Sequence, residues 1–401
     1  MVNRIDTDLL SGKPELFLKP GLDRASDALK GSQLRNGSIG EDEYKNSIVQ
    51  QIRRSLVRLV AQIDGYTSVL IPGNDTAGLE ALICSVIPDG GKLAVLTDSD
   101  YGNRVLATAR YFHIPVVVID HNEFGLSRIE QLRGVLQSDS AITHVAVVLS
   151  TIPTTQGCFL EAVSSLVKIQ GKALIVEATN SIVDINLDIG LLDTDFIFSS
   201  TSNIIMRAPS FDFIVAKTAR MQELKGILRT SNHALYEQWK CMDANKGHWR
   251  LPYPTDVLLA FEQSLTERLA IKERYKMGCH INNRMLILEL RGLGFSVQSE
   301  AWEPLSITSF NSPSHPDFSF KNFANELKTR GVFIYPVEAP AITGFHFGSI
   351  SNLYHGDISQ LAIAVAESMY WHEEEILKQS LVANPNTMIA AQSISEIGWI
   401  P

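Results

Sequence analysis

The sequence lacks any apolar run approaching the roughly 20 residues that a helix needs to span a bilayer. Its first residues, MVNRIDTDLLSGKPELF, carry no apolar signal-peptide core. Both absences predict a cytoplasmic protein with no membrane partner. Cysteine is scarce. Cys84, Cys158, Cys241 and Cys279 are the four in 401 residues, far apart and without a CxxC, which excludes a disulfide scaffold or a zinc ribbon and predicts no metal site. Positive charge is in deficit: 35 Lys plus Arg stand against 44 Asp plus Glu, for a net charge of −9. With no basic stripe either, a nucleic-acid partner is excluded. Internal repeats and low-complexity segments are absent too. What is present is ordinary for a globular chain, 45% hydrophobic and 20% charged, with length for two or three domains and apolar surface for a sizeable core.

Seven short runs rich in Val and Ile alternate with helix-length amphipathic stretches between Tyr66 and Lys217. They are Thr67–Gly73, Lys92–Thr97, Ile114–Asp120, His144–Ser150, Ala173–Ala178, Asp195–Ser200 and Phe211–Lys217. Near-continuous apolar runs of this length read as strands buried on both faces, and intervening helices imply right-handed crossovers. The expected fold class is α/β, with a seven-stranded, mostly parallel sheet covered by helices. A long helical pattern begins near Asp256 and stops at the RGLG of residues 291–294. Shorter strand candidates and two helical stretches follow, as in a smaller α+β domain. The expected division is residues 1–60 for an N-terminal arm and helix, 61–255 for the large domain, 256–372 for the small one and 373–401 for a tail.

Open α/β sheets bind ligands at the carboxyl ends of their strands, so chemistry is sought there. After the first run stand Asn74, Asp75 and Thr76, entering a helix. They read either as an anion cradle or as a plain helix cap, and the carboxylate of Asp75 favours the cap. Tyr101 and Arg104 follow the second run, and Thr155 and Gln156 the fourth. Glu177 ends the fifth run, either as a site carboxylate or as a structural one. Ser199, Ser200, Thr201, Ser202 and Asn203 lie at and beyond the end of the sixth. His346, in the late strand GFHFGSI, taken alone reads as a satisfied small-domain histidine.

These features match a known pattern over about residues 14–371. The segments that carry it are GYTSVLIPG with LEA five residues on (Gly65–Ala81), LDTDFIFSSTSNIIMRAPSFDFIVAK (Leu192–Lys217), LYEQWKCMDANKGHWR with PT three residues on (Leu235–Thr255), RGLGF, and GVFIYP (Gly331–Pro336). The chain resembles the class V branch of pyridoxal-phosphate aminotransferases, nearest its 2-aminoethylphosphonate–pyruvate members. The resemblance implies a fold-type-I architecture and a homodimer with sites at the subunit interface. It also implies roles for residues, and several of them are changed. Asn203 falls where the family has its Schiff-base lysine. Glu177 falls on the aspartate that faces the pyridine nitrogen, with one methylene more. Asn74, Asp75 and Thr76 fall on the phosphate cradle, and His346 on a substrate-binding arginine. Val257, or Thr255, falls on the threonine that reaches the phosphate from the partner subunit.

Together the changes predict a pocket that has lost pyridoxal phosphate and uses no cofactor. On that expectation the chain is an enzyme acting on a small carboxylate- or phosphonate-bearing metabolite by acid–base chemistry. Glu177, His346 and Asn203 are then catalytic. Arg207, Tyr101, Thr155, Gln156, Arg104 and Arg35 bind substrate. Two alternatives stay open: a non-catalytic homologue, or an inactive partner of an active aminotransferase; and an enzyme that uses pyridoxamine or pyridoxal phosphate without the lysine. His346 in place of arginine exchanges a permanent cation for a group that titrates near neutral pH.

Overall fold

The structure is a computed structural model. It describes residues 42–61, 63–73, 76–96, 100–119, 126–149, 156–179, 181–182, 190–201, 211–227, 229–231, 234–244, 247–250, 255–297, 307–336, 343–348 and 355–372. Of the segments singled out above, Arg35, Asn74, Asp75, Thr155, Asn203 and Arg207 lie outside these residues, as does the tail.

The chain divides into two compact units, the boundary falling after Tyr275. In the larger unit, helix α1 (Asp42–Val60) leads into strand β1 (Tyr66–Pro72). Ile48, Val49, Ile52, Leu56 and Val60 recur at helical spacing and are buried, which seats α1 on the core. Then follow α2 (Thr76–Val86), β2 (Lys92–Leu96), α3 (Asp100–Tyr111), β3 (Val116–Ile119), α4 (Leu126–Ser138), β4 (Ile142–Val148), α5 (Gln156–Ile169), β5 (Ala173–Glu177), β6 (Phe196–Ser200) and β7 (Phe211–Lys217). All seven strands fall within a residue or two of the apolar runs read from the sequence. Their order is β1-β7-β6-β5-β4-β2-β3. The steps from β6 to β3 are parallel, and β7 runs antiparallel to both β1 and β6. β5 and β6 are buried at every residue, as strands covered on both faces must be. α6 (Thr218–Glu223), α7 (Leu235–Ala244) and the start of α8 (Thr255–Gly292) complete this unit.

The smaller unit takes the end of α8, then β8 (Ile307–Asn311), α9 (Phe320–Thr329), β9 (Tyr335–Pro336), β10 (Gly344–Gly348) and α10 (His355–Glu367). Its antiparallel sheet has the order β8-β10-β9. Its core is aromatic. Phe295 stacks on Phe323 with ring centres 5.9 Å apart, Phe310 stacks on Phe345 at 6.0 Å, and Trp371 packs edge-on to Phe318 at 4.9 Å. Among the described residues no helix is long and apolar enough to cross a membrane.

Candidate active site

The carboxyl ends of β1, β4, β5 and β6 meet the amino end of antiparallel β7 along one edge of the large sheet. Glu177 is the last residue of β5 and is 2% exposed. Its backbone carbonyl accepts the Leu149 N–H at 2.8 Å, just beyond β4, and its side-chain Oε1 accepts the Thr179 N–H at 3.0 Å. A carboxylate removed from water needs such donors. Glu177 pairs with Phe198 of β6, Phe198 with Ile214 of β7, and Ser200 with Asp212. Paired neighbours share a face and residues two apart repeat it. Glu177, Phe198, Ser200 and Asp212 therefore project from the same side of the sheet.

That side carries α2. Gly73, with φ of +142°, turns the chain from β1 toward this helix in a conformation that favours glycine. Gly78, in the first turn of α2, approaches the sheet so closely that an added Cβ would lie 2.3 Å from Asp212 Cβ and 2.8 Å from Phe198 Cε2. The close approach has a purpose: the Gly78 N–H donates to Asp212 Oδ2 at 2.8 Å. Asp212 is fully buried. It caps α2 from 134 residues away, supplying the acceptor that a helix N-terminus lacks. Thr201 fixes the root of the β6–β7 connection. Its Oγ1 donates to the Phe211 carbonyl at 2.9 Å and accepts the Phe211 N–H at 3.0 Å.

Of the residues proposed from sequence, Glu177 stands in this edge. Thr76 opens α2 and is exposed, Tyr101 lies in the first turn of α3, and Gln156 opens α5. Arg104 is exposed on α3. Val257 is 3% exposed and belongs to the apolar core of its own chain. His346 belongs to the smaller unit. It sits on β10, paired with Ser309 of β8, and its Nδ1 lies 2.8 Å from Ser309 Oγ. Burial pulls its pKa down from 6.5 to about 4. The histidine is thus neutral at pH 7, where the sequence reading expects a group that titrates near neutrality. Sequence reasoning missed Asp212 and named Thr201 without giving it a role. The signal for Thr201 lay in the Ser-Ser-Thr-Ser-Asn run, whereas a lone aspartate at the head of an apolar strand gave none for Asp212.

A scan against protein-family models finds no match. Whole-chain comparison does. The chain is 38% identical over 361 residues to the 2-aminoethylphosphonate–pyruvate transaminase of Vibrio vulnificus (strain CMCP6), covering 89% of this chain and 98% of that one. It is 34% identical over 372 residues to the Klebsiella pneumoniae enzyme of the same name, covering 91% and 100%. The chain belongs to the 2-aminoethylphosphonate–pyruvate transaminase family. Solved structures agree on the fold. Pyridoxamine–pyruvate aminotransferase from Mesorhizobium loti matches with a TM-score of 0.75 at 14% identity over 95% of this chain and 98% of that one. Alanine–glyoxylate aminotransferase from Nostoc sp. matches with a TM-score of 0.72 at 18% identity over 92% and 100%.

Membership in the transaminase family overturns one expectation, that the pocket uses no cofactor. Relatives matched along 97–100% of their length, 32–38% identical to this chain, are transaminases. Reversible amino transfer is chemistry that a pyridoxal cofactor carries. The physical reason for the error is that a lysine supplies a covalent link, while affinity is spread over ring, carboxylate and backbone donors. Absence of that link would leave the other contacts in place. Glu177, a buried carboxylate at the end of β5, matches a protonated ring nitrogen in charge. The N-terminus of α2 suits an added anion less well, because Asp212 already holds the Gly78 N–H there.

Proposed function

We propose that this chain is a vitamin-B6-binding member of the transaminase family that works without a Schiff-base lysine, Asn203 standing in that position. The observation that carries the reading is Glu177, a carboxylate 2% exposed at the end of β5, where a cationic ring nitrogen would be paired away from water. Bound there, the cofactor supplies the electron sink for charge that develops on the substrate carbon beside nitrogen. The chain's own residues do the rest. Glu177 orients the ring, and the Thr201 clamp sets the root of the connection that carries Asn203 and Arg207. Asn203 has no titratable amine, so it holds substrate by hydrogen bonds and moves no proton. Arg207, Arg104 and Arg35 are the candidate partners of a substrate carboxylate or phosphonate. The functional unit is a homodimer in the cytosol, a reading that rests on the family resemblance.

Calorimetric titration with pyridoxamine 5′-phosphate and pyridoxal 5′-phosphate tests the reading. Saturable binding of either, with no protein adduct trapped by borohydride, is the expected result. Asn203→Lys should gain a visible absorbance band and a trapped adduct on that lysine. A trapped adduct in the natural chain, or no binding of either form, would refute it.

A further inference from the structure

The phosphate end of the site is where structure and cofactor disagree. Asp212 is fully buried, shares the site face with Glu177, and accepts the Gly78 N–H at 2.8 Å. The fit is built in from both sides. Gly78 has no side chain, and any Cβ there would strike Asp212 Cβ at 2.3 Å and Asp212 Oδ2 at 2.9 Å. At Gly73 a Cβ would stand 3.9 Å from the same Oδ2. The carboxylate therefore lies near Gly73, at the end of β1, as well as against the first turn of the helix. A helix N-terminus offers a few free N–H groups and a partial positive charge of about half an elementary unit. An internal carboxylate there takes one donor, neutralises that charge and repels a second anion.

We infer that Asp212 is a specificity-determining residue which sets the site's preference between phosphorylated and unphosphorylated ligands, by holding the place of an anion at the head of α2. The inference rests on the cofactor-binding reading above and adds that the phosphate contributes little to affinity in this chain. Asp212→Asn is the informative change. It removes the charge and keeps an oxygen that can accept the Gly78 N–H, so helix capping survives. Asp212→Gly is the second variant, since it also removes the bulk.

The measurement is the ratio of dissociation constants for pyridoxamine and pyridoxamine 5′-phosphate, by calorimetry on the full chain, with thermal melts confirming that each variant is folded. In the natural chain the phosphate should improve binding by no more than about tenfold, where each tenfold is one decade in Kd. In Asp212→Asn or Asp212→Gly the ratio should rise by about tenfold or more, through tighter phosphate binding with the unphosphorylated amine little changed. A phosphate preference above about a thousandfold in the natural chain, or a ratio unmoved in both variants, overturns the inference. Its failure is separable from failure of the cofactor reading. If the natural chain binds neither amine while Asp212→Asn binds the phosphate ester, the inference stands and the reading falls. If both amines bind and the ratio does not move, the reading stands and the inference falls. If neither ligand binds any of the three proteins, both fall.

Discussion

Asp195, at the opposite end of β6 from the candidate site, shows how much one side chain can hold. It is 4% exposed. Its Oδ2 accepts the Leu174 N–H at 2.8 Å, and its Oδ1 meets Lys217 Nζ at 3.1 Å and Arg220 Nε at 3.0 Å. The single carboxylate thus joins the start of β5 to the end of β7 and to α6. Asp195→Ala would strand a buried N–H and leave two partly buried cations without their shared acceptor. The expected loss of stability is about 3–5 kcal/mol, read from urea denaturation midpoints. Asp195→Asn keeps an acceptor and should lose less; equal losses in the two variants would show that packing, not hydrogen bonding, governs the site. Glu177 makes a second prediction at this scale. Glu177→Gln keeps shape and the Thr179 hydrogen bond but gives up the charge that pairs a cationic ring, so affinity for pyridoxamine 5′-phosphate should fall by about tenfold or more at unchanged thermal stability. An unchanged affinity would place the ring elsewhere.

At the scale of elements, α2 is held at both ends by residues remote in sequence. Asp212 caps its N-terminus, and Arg229 Nη1 donates to the carbonyls of Cys84 and Ile87 at its C-terminus, with Nη2 on Asp89 at 3.0 Å. A negative group at one end and a positive one at the other both oppose the helix dipole. Arg229→Ala should cost about 1–2 kcal/mol of stability, since the last carbonyls lose their donor. A midpoint within error of the natural chain would mean that water replaces the guanidinium fully. Such caps were not legible in the sequence. Seven strands were, because each is a short apolar run closed by turn residues, and the long helix from Thr255 was, because its pattern ends at a glycine-rich stop. The antiparallel sense of β7 was not: Phe211–Lys217 is as apolar as its parallel neighbours, and direction leaves no mark on a strand buried on both sides. Glu177 was legible as a charge that interrupts an apolar run at its carboxyl end. Asp212 was not, because its role is set by a residue 134 positions away.

For the molecule as a whole, each compact unit holds a histidine that burial keeps neutral, buried His144 in the larger and half-buried His346 in the smaller. His144 of β4 is pulled from 6.5 to about 4, first by burial; the charge of Asp195 raises it in part and that of Arg220 lowers it further. His346 of β10 falls to about 4 by burial alone. The sign follows from which state binds protons more readily. Each imidazole takes a proton near pH 6.5 when unfolded and only near pH 4 when folded. Stability from keeping it neutral is complete above about 6.5 and is lost as pH falls toward 4. A shift of this size corresponds to roughly 3 kcal/mol for each histidine over the window, at about 1.4 kcal/mol per unit. Carboxylates lose stability over the same range, so the histidine share is isolated by difference. Urea midpoints at pH 7 and pH 4.5 should fall less in His144→Gln and in His346→Gln than in the natural chain. The two changes should act independently, because the residues lie in separate cores and share no partner among the described residues. Parallel pH profiles in all three proteins would show that both imidazoles take up protons in the folded state as easily as in the unfolded one, which their burial argues against.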